Sequence, residues 1–290
     1  MNNIFAMPTI KRSNQYTGYA LDSFFKNTRL DDSDEFFLID NDGCELNDYF
    51  LNEKVKVIKN QKPKNIAQNI NQIIDKSVDK KKNLVFLNND IIFTKNWFDS
   101  FKSNSNEVLI PVNNQIFQYQ SDCQNLRLTA TMSLKDFNNN YILLDKISEQ
   151  HKKKFQLHKK AQGLLMPFFC FQVPYEILKS VGEFDESFNH GGEDIDYRIR
   201  CVQKGYKVNF LLDSYLLHFH GKSSWDGGET KEETKNRDSS YTKVFLKKWG
   251  EEMTQIFILR KKFTNILDKH KVHEFFKKGN FDKVIKKIIS

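Results

Sequence analysis

The sequence predicts an α/β fold in which a Rossmann-like, mostly parallel sheet is flanked by helices. Short apolar runs alternate with amphipathic segments of helical period in the N-terminal third of the chain. Such alternation is typical of a parallel sheet covered on both faces. A chain of 290 residues with 39% hydrophobic residues is long enough for one large domain with a buried core, followed by a small helical C-terminal appendage.

Each expected element of the N-terminal third rests on its apolar pattern. The expected strands are Asn3–Met7, Glu35–Ile39, Lys54–Ile58 and Asn83–Leu87. Helices are expected at Gly18–Thr28 and Asn65–Val78, where apolar residues recur at helical spacing. Ligands of such sheets bind beyond the carboxyl ends of the strands, so Thr9, Asp40 and Asp90 are expected on one rim.

The rest of the chain is predicted to continue this pattern and then to become helical. The expected strands are Val108–Val112, Gly163–Val173, Tyr206–Leu212 and Tyr215–Phe219, and the expected helices are Tyr141–Phe155, Pro174–Val181 and the segment that ends at Gly205. The run Gly221–Ser240 is predicted to be a loop, because it is polar, charged and contains glycine. Helices are expected after Ser239, and His273–Ile289 is predicted to be a helical hairpin broken at Gly279-Asn280.

Cysteine spacing and hydropathy exclude several protein classes. The sequence contains no paired cysteine motif; its cysteines are Cys44, Cys123, Cys170 and Cys201. Neither a disulfide framework nor a zinc site is therefore expected, and a reducing cytoplasm fits best. The sequence shows no secretion signal and no apolar run of membrane-spanning length, which predicts a soluble protein.

The positive charge is concentrated in the C-terminal segment. Residues 251–290 hold ten Lys/Arg against five Asp/Glu, and so supply most of the net charge of +8. A solvated helical face explains this excess most simply, and a weak contact with the inner face of a membrane is the alternative. Nucleic acid is not expected as a partner, because the basic excess is not interleaved with aromatic residues along one face.

The densest group of chemically capable residues lies between Gly182 and Ser223. It contains, in chain order, Gly191-Gly192, the acidic cluster Glu193-Asp194-x-Asp196, and the strand-end histidines His218 and His220. The acidic cluster opens a helix, where the helix dipole favours anions.

This block resembles the C-terminal half of the catalytic domain in glycosyltransferase family 2, and most closely its rhamnosyltransferase-like branch, where the pattern GxFDExF…EDxDxxxRxxxxGY…H recurs. Members of that family have the GT-A fold. The resemblance implies a GT-A domain over residues 1–250 and leaves 251–290 as a basic helical appendage that we expect to be dispensable for chemistry. It implies a metal-dependent, inverting enzyme that moves a hexosyl or deoxyhexosyl group from a nucleoside diphosphate sugar to a hydroxyl of a glycan or glycoconjugate.

By this resemblance, Asp90 and His218 are the expected metal ligands. Asn88 replaces the first acidic residue of the family's D-x-D motif, so Asp90 is the single carboxylate ligand at this strand end. His220 shares the side-chain direction of His218 on a strand and is kept as a second candidate. Carboxylate, imidazole and phosphate oxygens suit Mn²⁺ or Mg²⁺ better than a structural zinc ion. A simple Asn-Asn-Asp turn is the alternative interpretation.

The resemblance makes Asp194 the general base, because sugar transfer requires removal of a proton from the acceptor hydroxyl. Glu193 is expected to hold the acceptor or to tune Asp194, whereas Asp196 is expected to be structural. Gly191 and Gly192 are expected to permit close approach of a ligand. Helix capping by the acidic pair is the simpler alternative and is compatible with catalysis.

The expected nucleotide-sugar site rests on residues that are individually weak signals. They are Pro8, Thr9, Arg12, Asp40, Asn69, Asn88 and Asn89. In the family, Thr9 would lie near the base or ribose, Asp40 would accept a hydrogen bond from the base, and Arg12 would offset phosphate charge. Trp225 lies in the polar run after the histidines, where it could stack on a sugar.

Two other functions remain open at this stage. A catalytically inactive sugar- or nucleotide-binding relative would have the same fold, although Asp90, Asp194 and His218 are all retained. A nucleotidyltransferase would need a glycine-rich loop after the first strand, and the run Pro8–Thr17 contains no glycine.

Overall fold

The computed structural model describes residues 2–44, 53–102, 106–114, 133–156, 159–188, 190–222, 228–261 and 263–290. The strands are β1 (Asn3–Thr9), β2 (Glu35–Asp40), β3 (Val55–Lys59), β4 (Asn83–Leu87), β5 (Ile91–Phe93), β6 (Glu107–Asn113), β7 (Lys160–Gln162), β8 (Cys170–Val173) and β9 (Lys207–His218). The α-helices are α1 (Asn14–Asn27), α2 (Ile66–Asp79), α3 (Leu134–Phe137), α4 (Tyr141–Lys154), α5 (Tyr175–Val181), α6 (Glu193–Gln203), α7 (Lys231–Thr254), α8 (Phe263–Lys269), α9 (His273–Lys277) and α10 (Phe281–Ile289).

One nine-stranded sheet organises the fold, with the strand order β3-β2-β1-β4-β8-β6-β9-β5 and β7 paired to β9. Strands β1 to β4 pair in parallel, as the alternating sequence pattern predicts. The other half is mixed, because β8 runs antiparallel to both β4 and β6, whereas β9 runs parallel to β6. The predicted α/β sheet flanked by helices is confirmed; pairing is wholly parallel among β1 to β4 and mixed in the rest of the sheet.

Local chemistry explains where the main elements begin. Helix α2 starts with a capping box, in which the Asn65 side chain accepts a hydrogen bond from the Gln68 N–H and the Gln68 side chain accepts one from the Asn65 N–H. Thr230 and Glu233 form the same box at the start of α7. That cap starts a helix inside the predicted loop Gly221–Ser240, so the loop prediction is wrong from Lys231 onward.

Three predicted strands also differ from the structure. The expected pair Tyr206–Leu212 and Tyr215–Phe219 is one 12-residue strand, β9, with an irregularity in its pairing opposite Pro111 and Val112. Within the expected strand Gly163–Val173, only Cys170–Val173 pairs in the sheet. Apolar composition alone does not distinguish a buried strand from a buried irregular segment.

The C-terminal helices share a hydrophobic cluster with the α/β domain. The cluster joins residues of α6, α7 and the helices after residue 250; they include Leu165, Ile199, Val202, Phe245, Phe257, Leu267, Phe276 and Ile285. Arg198 of α6 is fully buried and donates to the Gly163 carbonyl and, at 2.5 Å, to Asp282 of α10. The predicted boundary at residue 250 coincides with a kink in α7 at Gly250, where φ is 79° and ψ is 178°. The buried cluster and the Arg198–Asp282 pair nevertheless join the two sides of this kink.

The predicted helical hairpin at His273–Ile289 is confirmed, as helices α9 and α10. In the part of the chain that the structure describes, no helix is both long and apolar enough to cross a bilayer.

Candidate active site

A cleft of about 1260 Å³ opens at the carboxyl ends of β1 and β4 and at the start of α6. Its lining includes the sequence-predicted residues Pro8, Thr9, Arg12, Asn69, Asn88, Asn89, Asp90, Gly191, Gly192, Glu193, Asp194, His218 and His220. Residues that are distant in sequence are thus brought to one place by the strand-end rule for open α/β sheets.

Asp90 and His218 face each other at the floor of the cleft. Asp90 follows β4, and His218 ends β9, opposite Ile91 in the antiparallel pairing of β5 and β9. His218 Nε2 lies 3.1 Å from Asp90 Oδ1, and both side chains are almost fully buried. Burial raises the pKa of Asp90, but the charge and hydrogen bond of His218 and the Lys222 N–H outweigh it, so the net pKa is lowered. Asp90 is therefore an anionic oxygen donor group held against an imidazole.

This pair fits a divalent cation. The separation of 3.1 Å between His218 Nε2 and Asp90 Oδ1 is close to that of adjacent ligands in an octahedral site with bonds of about 2.1 Å. His218 Nδ1 is buried and has no hydrogen-bond partner among the described residues. One carboxylate oxygen and one imidazole nitrogen form a donor set that Mn²⁺ accepts.

His220 is placed differently from His218. Its ring centroid lies 5.1 Å from that of His218, and its backbone is left-handed, with φ 62°. Burial and the neighbouring His218 lower the pKa of His220 to about 4, which keeps it neutral near pH 7. His220 lines the cleft beside the pair, whereas His218 makes the direct contact with Asp90.

Asn88 and Asn89 have different roles in the fold. The Asn88 N–H donates to the Phe169 carbonyl, which joins the end of β4 to the segment before β8. The Asn89 side chain turns inward and donates to Ser13 Oγ at 2.6 Å and to Thr17 Oγ1 at 3.0 Å. Asn89 therefore supports the strand ends from below the cleft.

The acidic pair at the start of α6 combines burial with backbone contacts. Glu193 Oε2 accepts a hydrogen bond from the Gly191 N–H at 2.7 Å, and Asp194 Oδ1 accepts one from the Ile195 N–H at 2.7 Å. Burial raises the pKa of both carboxyl groups, and the charge of Asp194 adds to the rise at Glu193. A carboxylate with a raised pKa is a suitable proton acceptor near neutral pH.

The Gly191-Gly192 pair is explained by packing against aromatic rings. A Cβ atom on Gly191 would lie 2.5 Å from the Tyr241 ring, and one on Gly192 would lie 3.0 Å from the Phe188 ring. Gly192 also has φ 88° at the N-cap of α6. The sequence argument invoked close approach of a ligand, whereas the structure shows close approach of Tyr241 and Phe188.

Asp196 is structural, as predicted. It is fully buried and accepts hydrogen bonds from Arg200 at 2.8 Å and from Trp249 Nε1 at 2.9 Å. Lys248 lies 2.7 Å from the same carboxylate. These contacts join α6 to α7.

The half of the cleft between the end of β1 and the start of α2, where the sequence predicts nucleotide binding, is called the nucleotide half. Pro8 and Arg12 lie at its surface, and the Thr9 hydroxyl is buried. Thr9 Oγ1 lies 2.7 Å from Thr17 Oγ1 and accepts from Asn89, so its hydroxyl holds strand β1 against helix α1. Asn69 is also buried and donates to the side chain of Asn41 and to the Lys64 carbonyl, both at 3.1 Å. Thr9 and Asn69 are therefore buried residues that hold the neighbouring chain segments of this half in place.

Asp40 is not among the described residues that line the cleft. Its Oδ1 accepts from the N–H groups of Gly43 and Cys44, each at 2.8 Å, and so stabilises the turn after β2. The next two residues, Asn41 and Asp42, line the cleft instead. The predicted contact of Asp40 with a base stays a prediction.

An Asp-x-Asp pair is present in this turn, since ligand atoms of Asp40, Asp42 and Cys44 lie within 4.8 Å of one another. Burial and the charge of Asp40 raise the pKa of the Cys44 thiol to about 12, although a hydrogen bond to Thr9 opposes the rise. Metal binding requires a deprotonated thiol. The Asp90–His218 pair is the better candidate for a catalytic ion.

Sequence reasoning missed several residues of the cleft. They are Asn41, Lys64, His190, Arg237, Tyr241, Phe257, Ile258 and Arg260. Arg237 donates to the His190 carbonyl at 3.3 Å and pairs with Glu229 at 3.3 Å. The capping box Thr230-x-x-Glu233 was the signal that a helix places Arg237 here. Trp225 and Cys123 lie outside the described residues.

Neither a protein-family model nor a curated protein matches this sequence. Solved structures do match its fold. GalNAc-T7 with UDP, GalNAc and Mn²⁺ matches at a TM-score of 0.60 and 16% identity, over 98% of this chain and 55% of GalNAc-T7. The mannosyltransferase PcManGT from Pyrobaculum calidifontis, in complex with GDP-Man and Mn²⁺, matches at 0.50 and 9% identity, over 99% of this chain and 85% of its own. S. aureus TarS 1-349 in complex with UDP matches at a TM-score of 0.51 and 12% identity, over 92% of this chain and 74% of the TarS chain.

The fold is therefore the GT-A fold, and these structural neighbours are glycosyltransferases. The chain spans about half the length of GalNAc-T7.

Proposed function

We propose that this protein is a metal-dependent, inverting glycosyltransferase that moves a sugar from a nucleoside diphosphate sugar to a hydroxyl of a glycan or glycoconjugate. The observation that carries the proposal is one cleft that combines the Asp90–His218 pair with the raised-pKa carboxyl groups at the start of α6. Structural neighbours of the same fold bind UDP or GDP-Man together with Mn²⁺ in their crystals, which supports the assignment. Membership of the rhamnosyltransferase-like branch remains part of the proposal.

Asp90 and His218 would hold the metal ion, Mn²⁺ or Mg²⁺. When bound there, the ion would offset the charge of the leaving diphosphate. Lys11, Arg12 and Lys64 line the nucleotide half of the cleft and add positive charge beside the phosphates.

Asp194 would accept the proton of the acceptor hydroxyl as that oxygen bonds to the anomeric carbon and the nucleoside diphosphate departs. Its carboxylate is half-buried, lines the cleft and is oriented by the Ile195 N–H. Glu193 holds the preceding turn through the Gly191 N–H. A single displacement with one base inverts the anomeric centre.

The first experiment is thermal stabilisation by a panel of nucleoside diphosphates and nucleotide sugars, each with and without Mn²⁺. A ligand that binds only the native state stabilises it, by about 2.7 kcal/mol when the ligand concentration is a hundredfold above Kd, and so raises the unfolding midpoint. A Mn²⁺-dependent shift with one nucleotide is expected. If no nucleotide shifts the midpoint in either condition, the glycosyltransferase proposal fails.

Weak membrane contact through the C-terminal helices is a separate part of the proposal. Five lysines of α9, α10 and their connection are exposed: Lys277, Lys278, Lys283, Lys286 and Lys287. Clustered lysines are attracted to anionic lipid surfaces. Co-sedimentation with phosphatidylserine vesicles, but not with phosphatidylcholine vesicles, is the expected result; equal recovery with both would contradict it.

A further inference from the structure

The segment Gln255–Arg260 forms part of the cleft wall near Asp194. Residues 255–259 form a single turn of π-helix, an uncommon geometry that occurs often at functional sites. The N–H groups of Arg260 and Lys261 both bond to the Gln255 carbonyl, which fixes the end of this turn. Phe257, Ile258 and Arg260 line the cleft. A segment outside the family resemblance therefore contributes to the candidate active site.

Arg260 has a left-handed backbone conformation, with φ 53° and ψ 41°. Glycine adopts this conformation at little cost, whereas a residue with a side chain is strained there. Such strain occurs preferentially at ligand-binding positions. Arg260 is exposed and lines the cleft.

Tyr241 connects Arg260 to the expected base. Its ring packs directly against Gly191, the residue that contacts Glu193. Burial raises the pKa of the Tyr241 phenol; the charges of Asp238 and Asp194 raise it further, and those of Arg237 and Arg260 oppose the rise. The charges of Arg260 and Asp194 therefore act on the same phenol in opposite directions, and all three residues line the cleft.

This position differs from that of the cations in the nucleotide half. Lys11, Arg12 and Lys64 lie at the ends of β1 and before α2. Arg260 follows the π-helical turn of the C-terminal segment and lines the same cleft as Asp194. A guanidinium fork has five N–H donors, no acceptor, and the geometry to bind a carboxylate or phosphate with two parallel bonds.

We propose that Arg260 binds the acceptor, and that the preferred acceptor carries a negatively charged group, a phosphate or a carboxylate, near the hydroxyl that receives the sugar. Phe257 and Ile258 form an apolar surface beside that group. This proposal rests on the proposed glycosyltransferase function and names its acceptor class.

The test uses small acceptor analogues with the full-length protein, Mn²⁺ and the nucleoside diphosphate found in the thermal panel. Methyl β-glucuronide and methyl β-glucoside differ in one carboxylate, and glycerol 1-phosphate represents the phosphate source. Saturation-transfer NMR titrations measure the three affinities. At least tenfold tighter binding of one anionic probe than of the glucoside is expected, and the probe that binds identifies the charged group.

Four variants separate this role from folding and from nucleotide binding. Arg260→Gln is expected to lower the affinity for the anionic probe about tenfold or more, and to leave the nucleotide Kd within about twofold of the wild-type value. Arg260→Lys is expected to restore only part of the affinity, since it keeps the charge but not the fork. Arg260→Gly relieves the backbone strain, so this variant should unfold at the same or a higher temperature than wild type and should no longer bind the anionic probe. Arg29→Gln, an exposed arginine outside the cleft, is the matched control and should behave as wild type.

Three results would overturn the proposal while leaving the nucleotide site intact. They are binding of both anionic probes no tighter than that of the glucoside, undiminished binding of the anionic probe by Arg260→Gln, or a loss of nucleotide affinity in that variant. The last result would make Arg260 a diphosphate ligand. Failure of the proposed function is distinct, because wild-type protein would then bind no nucleotide.

Discussion

The two halves of the cleft are stabilised in different ways. In the nucleotide half, amide side chains bond to one another: Asn41 Oδ1 accepts from the Lys64 N–H at 2.9 Å, and Asn60 donates to both Asn41 and Asn69 at 2.8 Å. In the α6 half, two adjacent carboxyl groups are held in a partly apolar place where their charge is unfavourable. The amide network behind the first half is neutral and satisfied, whereas the second half holds two carboxyl groups whose ionisation costs stability.

This difference indicates where each half gains its function. A neutral network fixes backbone positions and gives shape with little penalty, because each buried polar group has a partner. Buried charge with a raised pKa is typical of groups that move protons. The predictions below perturb each half in turn, in decreasing order of expected effect.

Asp194→Asn is expected to reduce the transfer rate about 10²- to 10⁴-fold, because the amide cannot accept a proton. The Ile195 N–H contact can persist to the amide oxygen, so nucleotide affinity should survive. Steady-state transfer and nucleotide titration measure the two effects. Asp79→Asn, at the exposed end of α2, is the control. Transfer at the wild-type rate by Asp194→Asn would exclude Asp194 as the base.

Asp282→Asn is expected to destabilise the fold by about 3 kcal/mol, because it leaves the fully buried Arg198 guanidinium without its anionic partner. This loss lies at the lower end of the roughly 3–5 kcal/mol that breaking a buried ion pair costs, because the Asp282 side chain is 17% exposed. Urea unfolding measures the change. The double variant Arg198→Met/Asp282→Leu should be less destabilised than the single one. Equal stability of Asp282→Asn and wild type would mean that the C-terminal helices are not fixed by this pair.

Asn60→Ala is expected to weaken nucleotide binding about threefold to tenfold, the effect of losing one or two hydrogen bonds that position a neighbour. Asn60 is not among the described lining residues, so the effect would act through Asn41 and Asn69. Isothermal titration measures it, with the exposed Asn106→Ala as control. An unchanged Kd would show that the amide network does not shape the nucleotide site.

Glu193→Gln is expected to raise Tm by about 2 °C or more at pH 7.5, since it removes a carboxyl group whose ionisation the fold opposes and keeps an acceptor for Gly191. Burial and the charge of Asp194 raise the pKa of Glu193 to about 8 in the folded protein, whereas the unfolded value is about 4.3. The carboxyl group therefore costs stability at pH values above about 4.3, and the cost grows until the pH passes the folded pKa. The gain in Tm should shrink as the pH is lowered to 4. A gain that is independent of pH would contradict this origin.

Strand ends and several residues of the candidate site could be predicted from sequence because local patterns encode them. The run that ends at Leu87 predicts β4 to the residue, and Asp90 follows from it. The Glu193-Asp194 pair and its helix are similarly local. Arg260 could not be predicted, because its place in the cleft depends on a cluster that joins residues such as Leu165, Phe257 and Ile285 across the chain. Tyr241 was hidden for the same reason, since its contact with Gly191 is a long-range packing contact.

The sequence also could not reveal how residues 251–290 contact the rest of the protein, and so it led to the expectation that they are dispensable for chemistry. Charge and helical period indicate an appendage, but they carry no information on which apolar faces meet. Phe257 and Arg260 line the cleft, and Asp282 pairs with Arg198 of the helix that carries Asp194. The segment is therefore part of the structure that shapes the site.

The most direct test of the account is Mn²⁺ binding, followed by electron paramagnetic resonance in the presence of the nucleoside diphosphate from the thermal panel. We expect one tightly held ion in wild type, and its loss in both Asp90→Ala and His218→Ala. Asp42→Ala, in the Asp-x-Asp turn after β2, should still bind the ion. If Asp42→Ala loses the ion while Asp90→Ala and His218→Ala retain it, the metal lies at that turn and the proposed catalytic centre is contradicted.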